Sequence, residues 1–444
     1  MAARRSTLLE PVNTLEAVQK AWSYPLFDSI FQRRARRFPL GATMPGSLTP
    51  YQSTKEPVPL DEIEEAMLVM AGTGISGTNL GDLPYNDQNG SNFCGNTMLQ
   101  FVGRVYASAC GSHGTELFYT NDEGTYMVQF RDKAANAMQE YETLDDREKI
   151  IQNFRANTVK ISDGRLDVPM VPGVTQPFNW WNANQAGSTL FMPISDVTWE
   201  YINVLMLLMD EPNSYYPYDD INGNAEPLKE WADKGYLDRT RAYPLSQMES
   251  AMRMITSGTE QAIMLQNMYL ALQAMGLGGW IFTSSLGPMV MTQMGFNIHV
   301  SEKGPIKPLI PGPRVAPVGI DGVFQSYCPP YYPDMDSACQ AIFDAKWGKQ
   351  GIYKEDGKPV AWKDRQSLDK LVNKTPQWCL DATKAMAQYI FETYGRFPAT
   401  IDPMEMNIWF QAHHLETDFY DEFYQPGSYH KAVKDHMAVW HESH

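Results

Sequence analysis

No apolar run in this chain reaches the roughly 18 residues that a membrane-crossing helix needs, so none is expected. Cysteine is scarce: Cys94, Cys110, Cys328, Cys339 and Cys379 are the five in 444 residues, and no two form a CxxC pair. An odd, scattered set argues against a disulfide framework and fits reduced thiols, hence a cytoplasmic location. No apolar stretch follows Arg4 and Arg5, so no secretory leader is expected. Neither GxGxxG after a strand-like run nor HExxH occurs, and there is no internal repeat. Positive charge is also short, with 36 Lys and Arg against 52 Asp and Glu and a net charge of −16. That balance removes general nucleic-acid binding, which needs a broad basic face to displace counterions, and docking on an anionic membrane.

A hydrophobic content of 43% over 444 residues is a globular composition, enough for one to three domains. Against the acidic background, Arg33-Arg34-Ala35-Arg36-Arg37-Phe38 stands out as four guanidiniums around one alanine. Such a local cluster suits one phosphate and not a polyanion. A solvated or subunit-contact face is the alternative reading of the same residues.

Along the chain, residues 1–32 show partial helical spacing interrupted by Pro25. Leu60 to Met70 predicts a helix, with Leu60, Ile63, Met67 and Met70 on one face. Asp61, Glu62, Glu64 and Glu65 sit near its start, where the macrodipole favours acids. Thr73-Gly74-Ile75-Ser76-Gly77-Thr78-Asn79 then reads as a small-residue loop. Thr115–Thr120 and Thr125–Phe130, separated by Asn121-Asp122-Glu123-Gly124, predict a hairpin. Residues 133–156 read as a charged helix, Ser188–Ile194 as a strand and Trp199–Asp210 as an apolar helix. From Gly258 to Gly279 runs a helix apolar nearly all round, stopped by Gly276-Leu277-Gly278-Gly279, and Trp280-Ile281-Phe282 leaves it extended. The last hundred or so residues read as helical and hold six of the eight histidines.

Three ordered blocks give the chain a family likeness. The arginine stretch, a helix and Ser76-Gly77-Thr78-Asn79 form the first. The second is Gln266–Met275 running into Gly276-Leu277-Gly278-Gly279, and the third is Val315-Ala316-Pro317-Val318-Gly319. In that order they resemble the nitroreductase-like flavoproteins. The resemblance implies an α+β fold, a mixed and mainly antiparallel sheet flanked by helices. It also implies a homodimer around the long central helix, with FMN as cofactor and NAD(P)H as a transient donor. It places the flavin phosphate at Arg33, Arg37 and Arg34, the ring and ribityl chain along Ser76, Thr78 and Asn79, and the N5 edge at Phe282, Thr283 and Ser284. Arginine suits a phosphate because its fork makes bidentate charge-assisted bonds.

The chain departs from the family pattern in three places. Ala35 stands where many members have Ser, no Lys-x-Arg pair follows Gly319, and the chain is enlarged. A flavin domain over 1–325, with an insertion at about 100–250, and a mainly helical extension over 326–444 are therefore expected. The resulting expectation is an FMN-dependent oxidoreductase acting on a small aromatic or conjugated molecule. One alternative is a member of the fold that has lost tight FMN binding and serves as a binding or structural protein. The other is a metal-dependent enzyme built on His413, His414, His430, His436 and His441 with nearby acids. No metal ligands are assigned, since His436 and His441 are five apart, poor spacing for one helix face, and packing or hydrogen bonding is expected of the histidines. His413 or His414 is a candidate to orient a substrate carboxylate or phenolate, and Arg396 to bind an anion.

Overall fold

The computed structural model describes residues 16–441 apart from 47, 80–84, 87–91, 94–95, 101, 132–146, 173–174, 224–225, 284–287, 302–313, 354–362, 365–371 and 400–407. Six strands make the main sheet: β1 (Thr115–Asn121), β2 (Gly124–Val128), β3 (Thr158–Asp163), β4 (Thr189–Ser195), β5 (Gly278–Thr283) and β6 (Ile408–His413). Their spatial order is β5-β6-β4-β1-β2-β3, and every pairing is antiparallel. The predicted hairpin is β1–β2. Asn121 closes it by accepting from the N–H groups of Glu123 at 3.0 Å and Gly124 at 3.2 Å.

Side-chain alternation along these strands supplies two cores. Leu117, Tyr119, Val128, Phe191, Phe410 and Ala412 face one way, onto the helices α1 (Glu62–Thr73) and α2 (Ala262–Met275). Phe118, Met127, Met192, Ile194 and Trp409 face the other way, onto Met291, Met294, Phe296 and Phe324. A third core joins the Thr198–Met209, Met335–Trp347 and Gln377–Tyr394 helices. The architecture is α+β, with helices on an antiparallel sheet. A parallel pair, Tyr216–Tyr218 with Ala242–Pro244, lies outside that sheet.

The sheet does not respect the boundary expected at residue 325. β6, from the expected extension, lies between β5 and β4, and the expected insertion supplies β1 to β4. A strand hydrogen-bonded on both edges cannot be an appendage. Ser76–Asn79, expected as a loop, is mostly strand: Ile75–Thr78 pairs with Val102–Arg104. Residues Arg314–Ile320 form the expected late strand, but in a separate three-stranded sheet with Asn297–Ser301 and Phe324–Gln325. Much of the charged helix expected over 133–156 lies outside the described residues; Arg147–Asn157 is helical.

The central helix begins later than expected, because Met254–Gln261 winds as a wider π turn. Such widened turns recur near functional sites. Its end is as read: Gly276 is left-handed at φ 81° and donates to Gln273 and Leu272 carbonyls. The helix is not apolar to its neighbours all round, since Gln266 is exposed and Asn267 donates to the Val105 carbonyl at 3.1 Å.

Candidate functional site

The arginine stretch runs along the sheet edge. Arg36 N–H donates to the Gly279 carbonyl of β5 at 3.0 Å, and Leu40 N–H donates to the His414 carbonyl at 2.9 Å. Glu416 N–H returns a bond to the Phe38 carbonyl at 3.0 Å. Phe38 is buried and stacks on Phe419 at 4.1 Å, which holds the segment down. Thus the first and second blocks of the sequence meet in space.

Arg36 and Arg37 line a cavity of about 670 Å³ with Trp181, Phe419, Tyr420 and Tyr424. Its size falls in the roughly 300–1,000 Å³ range of ligand clefts. The Arg37 guanidinium lies 3.9 Å over the ring of Trp280, and its Nη2 donates to Asn179 Oδ1 at 2.8 Å. A cation over an indole face is held by the ring quadrupole. Both Arg36 Nε and Arg37 Nε are buried donors without a partner. Burial lowers the pKa of each guanidinium from its ordinary value, with Tyr420 opposing. Neither pairs with a carboxylate among the described residues.

The other expected contacts lie elsewhere. Arg34 is exposed and donates back to the Phe31 and Arg33 carbonyls, while Arg33 lies 4.9 Å over Tyr269. Neither lines the cavity; Arg36, not expected as a contact, does. Ser76 Oγ donates to the Arg104 carbonyl at 3.0 Å, and Asn79 Nδ2 to the Gly111 carbonyl at 2.9 Å. These polar groups are engaged by their own chain. Thr78 is paired through its backbone with Val102. Phe282 stacks on Trp280 at 4.2 Å, Thr283 is exposed, and Ser284 lies outside the described residues. Trp181 and Tyr420 line the cavity, and Asn179 holds Arg37 beside it. Only the aromatic Asn179–Asn182 stretch carried a sequence signal for them.

Behind this edge lies a second, denser constellation. Glu64 Oε1 is 2.8 Å from His436 Nε2, 3.1 Å from His414 Nε2 and 3.3 Å from His441 Nε2. His414 and His441 meet Nε2 to Nε2 at 3.1 Å. Glu64, His414 and His436 are buried, and His441 is partly exposed. Glu64 comes from the first turn of α1, His414 follows β6, and His436 and His441 come from the Lys431–Trp440 helix, α3, and its C-terminal cap. His441 leaves helical geometry at φ −125°, so five-residue spacing does not keep it from the same point. Burial would raise the Glu64 carboxyl, but the His414 charge and bonds from three histidines hold it well below its ordinary value. His414 is raised: burial acts against its charge and Glu64 outweighs burial. His436 is lowered, chiefly by burial.

Other candidates are accounted for by packing. Burial and the His414 charge push His413 down to about 3, a neutral ring and not a carboxylate anchor. Arg396 is buried and donates to Glu249 Oε1 at 2.9 Å, so it is an ion-pair partner rather than an anion receptor.

No family model matches the chain, and no curated protein matches it significantly. Among solved structures it is similar to a protein from Ralstonia eutropha that is provisionally named a nitroreductase. The identity is 13%, the TM-score 0.27, and the match covers 61% of this chain and 75% of that one. A score that low does not establish a common fold.

Proposed function

We propose that the protein is an FMN-dependent oxidoreductase that seats the flavin phosphate against Arg36 and Arg37. The observation that carries this reading is the pair of guanidinium side chains, Arg36 and Arg37, in the lining of the same cavity, with no carboxylate paired to either among the described residues. Two cations without a carboxylate partner suit an anion with several acceptor oxygens, which can take charge-assisted bonds from both. Trp181, Tyr420 and Tyr424 add flat faces suited to a ring system. The phosphate end of FMN therefore fits. The polar groups expected at the ring edge do not converge on it, since Ser76 and Asn79 are bonded to their own chain.

When bound, FMN supplies two-electron chemistry at its isoalloxazine ring. The chain's share is to hold charge and exclude water. Arg37 is fixed between Trp280 and Asn179, so its guanidinium keeps one orientation without cost at the moment of binding. A small aromatic or conjugated substrate, NAD(P)H as the donor, a homodimer around α2 and a cytoplasmic location complete the reading.

The test is the visible spectrum of the purified protein and its titration with FMN, followed by flavin fluorescence. We expect saturable binding that weakens at least about tenfold in Arg36→Ala with Arg37→Ala, as loss of charge-assisted bonds implies. A protein that takes up no flavin would favour a binding or structural role and overturn the reading. Unchanged affinity in the double variant would overturn the phosphate assignment.

A further inference from the structure

The Glu64 cluster poses a problem of charge. Nδ1 of His414 lies 2.9 Å from the Val58 carbonyl, and Nδ1 of His436 lies 2.8 Å from the Met275 carbonyl. A carbonyl only accepts, so both Nδ1 atoms carry hydrogen. In the neutral rings both Nε2 atoms then present lone pairs, and both point at a carboxylate oxygen. The Nε2 of His441 points at the same place. Three acceptors that face one point in a buried setting, Glu64 Oε1 and the Nε2 atoms of His414 and His436, are met by a cation between them, either a metal ion or a proton on a ring.

Carbonyl bonds at Nδ1 that aim Nε2 inward are the outer-shell arrangement typical of metal-bound histidine. The carboxylate is oriented in the same way, for Glu64 Oε2 accepts from the Asp61 N–H at 2.7 Å. The spacing also suits a metal. Four donors about 2.0–2.1 Å from a tetrahedral zinc lie about 3.4 Å apart. Here the donor atoms all lie within 4.8 Å of one another, with four of the separations between 2.8 and 3.3 Å.

We propose that Glu64, His414, His436 and His441 bind one divalent zinc-class ion. Three imidazoles and one carboxylate match the preference of that class. Four protein donors close the coordination shell, so the ion is structural. It ties α1, the end of β6 and α3 together, joining residues 350 to 377 apart in sequence. The partly exposed His441 is the side from which the ion enters. This site is independent of the flavin reading, because no arginine takes part in it.

The experiment uses the full chain. Purified protein is stripped with a chelator, and zinc or cobalt is added back while metal content, the cobalt visible spectrum and thermal unfolding are followed. We expect one ion per chain, a tetrahedral cobalt spectrum, and a melting temperature that falls on stripping and recovers on addition. His441→Ala, at the exposed rim, keeps the fold; Glu64→Gln keeps the shape of the carboxylate. Both should weaken metal binding by more than the roughly 10–100-fold that loss of an outer-shell partner costs. Wild-type protein that takes up neither metal, or that melts identically with and without it, would mean protons fill the cluster and would overturn the proposal. Equal uptake by wild type and His441→Ala would overturn it too. Flavin content, read on the same samples, is expected to be unaffected in His441→Ala.

Discussion

Asp61 and Glu64 are bonded reciprocally across the first turn of α1. Asp61 Oδ1 accepts from the Glu64 N–H at 2.8 Å, and Glu64 Oε2 accepts from the Asp61 N–H at 2.7 Å. This capping box leaves Glu64 Oε1 facing the three histidines. One helix start thus settles both a secondary-structure boundary and the direction of a buried carboxylate.

The cap can be tested directly. Asp61→Ala leaves the Ile63 and Glu64 N–H groups without their side-chain acceptor and should cost about 0.5–2 kcal/mol. Asp61→Asn, which keeps an acceptor oxygen, should cost much less. Urea unfolding of the pair checks the order, and equal losses would show the cap to be idle.

Arg104 and Glu116 form a buried ion pair with an Nη2–Oε2 separation of 3.0 Å. Arg104 also donates to the Thr73 carbonyl at 2.8 Å, and Glu116 accepts from the Arg131 N–H at 2.8 Å. Glu116→Ala should therefore cost about 3–5 kcal/mol, because it strands a guanidinium in the core. Arg104→Met combined with Glu116→Leu should cost far less than the single change. A double variant as unstable as Glu116→Ala would contradict this account.

Glu200 is buried, and burial, partly offset by a hydrogen bond from Asn203 and the charge of Lys346, raises its carboxyl from 4.5 to about 8. Between those values the native chain holds a proton that the unfolded chain has lost. Stability from this group is therefore complete below the unfolded value and declines as pH rises through the folded one. The slope is at most about 1.4 kcal/mol per pH unit. Glu200→Gln removes the titration. Its unfolding midpoint should move above that of wild type progressively as pH rises towards 8, and parallel pH profiles would refute the assignment.

Gly276, at φ 81°, ends α2 where a Cβ would run into the Ala432 carbonyl in the first turn of α3. Gly322, at φ 70°, has open space around it. Gly322→Ala should cost only the left-handed strain, about 1–2 kcal/mol. Gly276→Ala should cost more, about 2–4 kcal/mol, because backbone must also move. Denaturant midpoints rank the two, and the reverse order would contradict the close approach.

Local elements were legible because their signals are local. The Asn121–Gly124 turn between β1 and β2, the acids opening α1, and Gly276 closing α2 each act within a few residues. The sheet order was not legible, since β6 reaches between β5 and β4 from far along the chain. Nor was Glu64. Beside Glu62 it read as one of several acids at a helix start, yet it and Glu65 are buried while Glu62 is only partly so. Periodicity tells which face a residue occupies, not which faces a folded chain covers.

Sequence by itself determined the hairpin, the acidic start of α1, the glycine stop of α2, and the cationic stretch that an acidic chain makes conspicuous. These follow from backbone conformation and charge, which neighbouring residues set. Tertiary structure alone decided that Arg36 and Arg37, rather than Arg33 and Arg34, turn into the cavity, and that three late histidines share one oxygen of Glu64. Both outcomes depend on contacts between segments hundreds of residues apart, and those form only when burial of apolar surface brings the segments together.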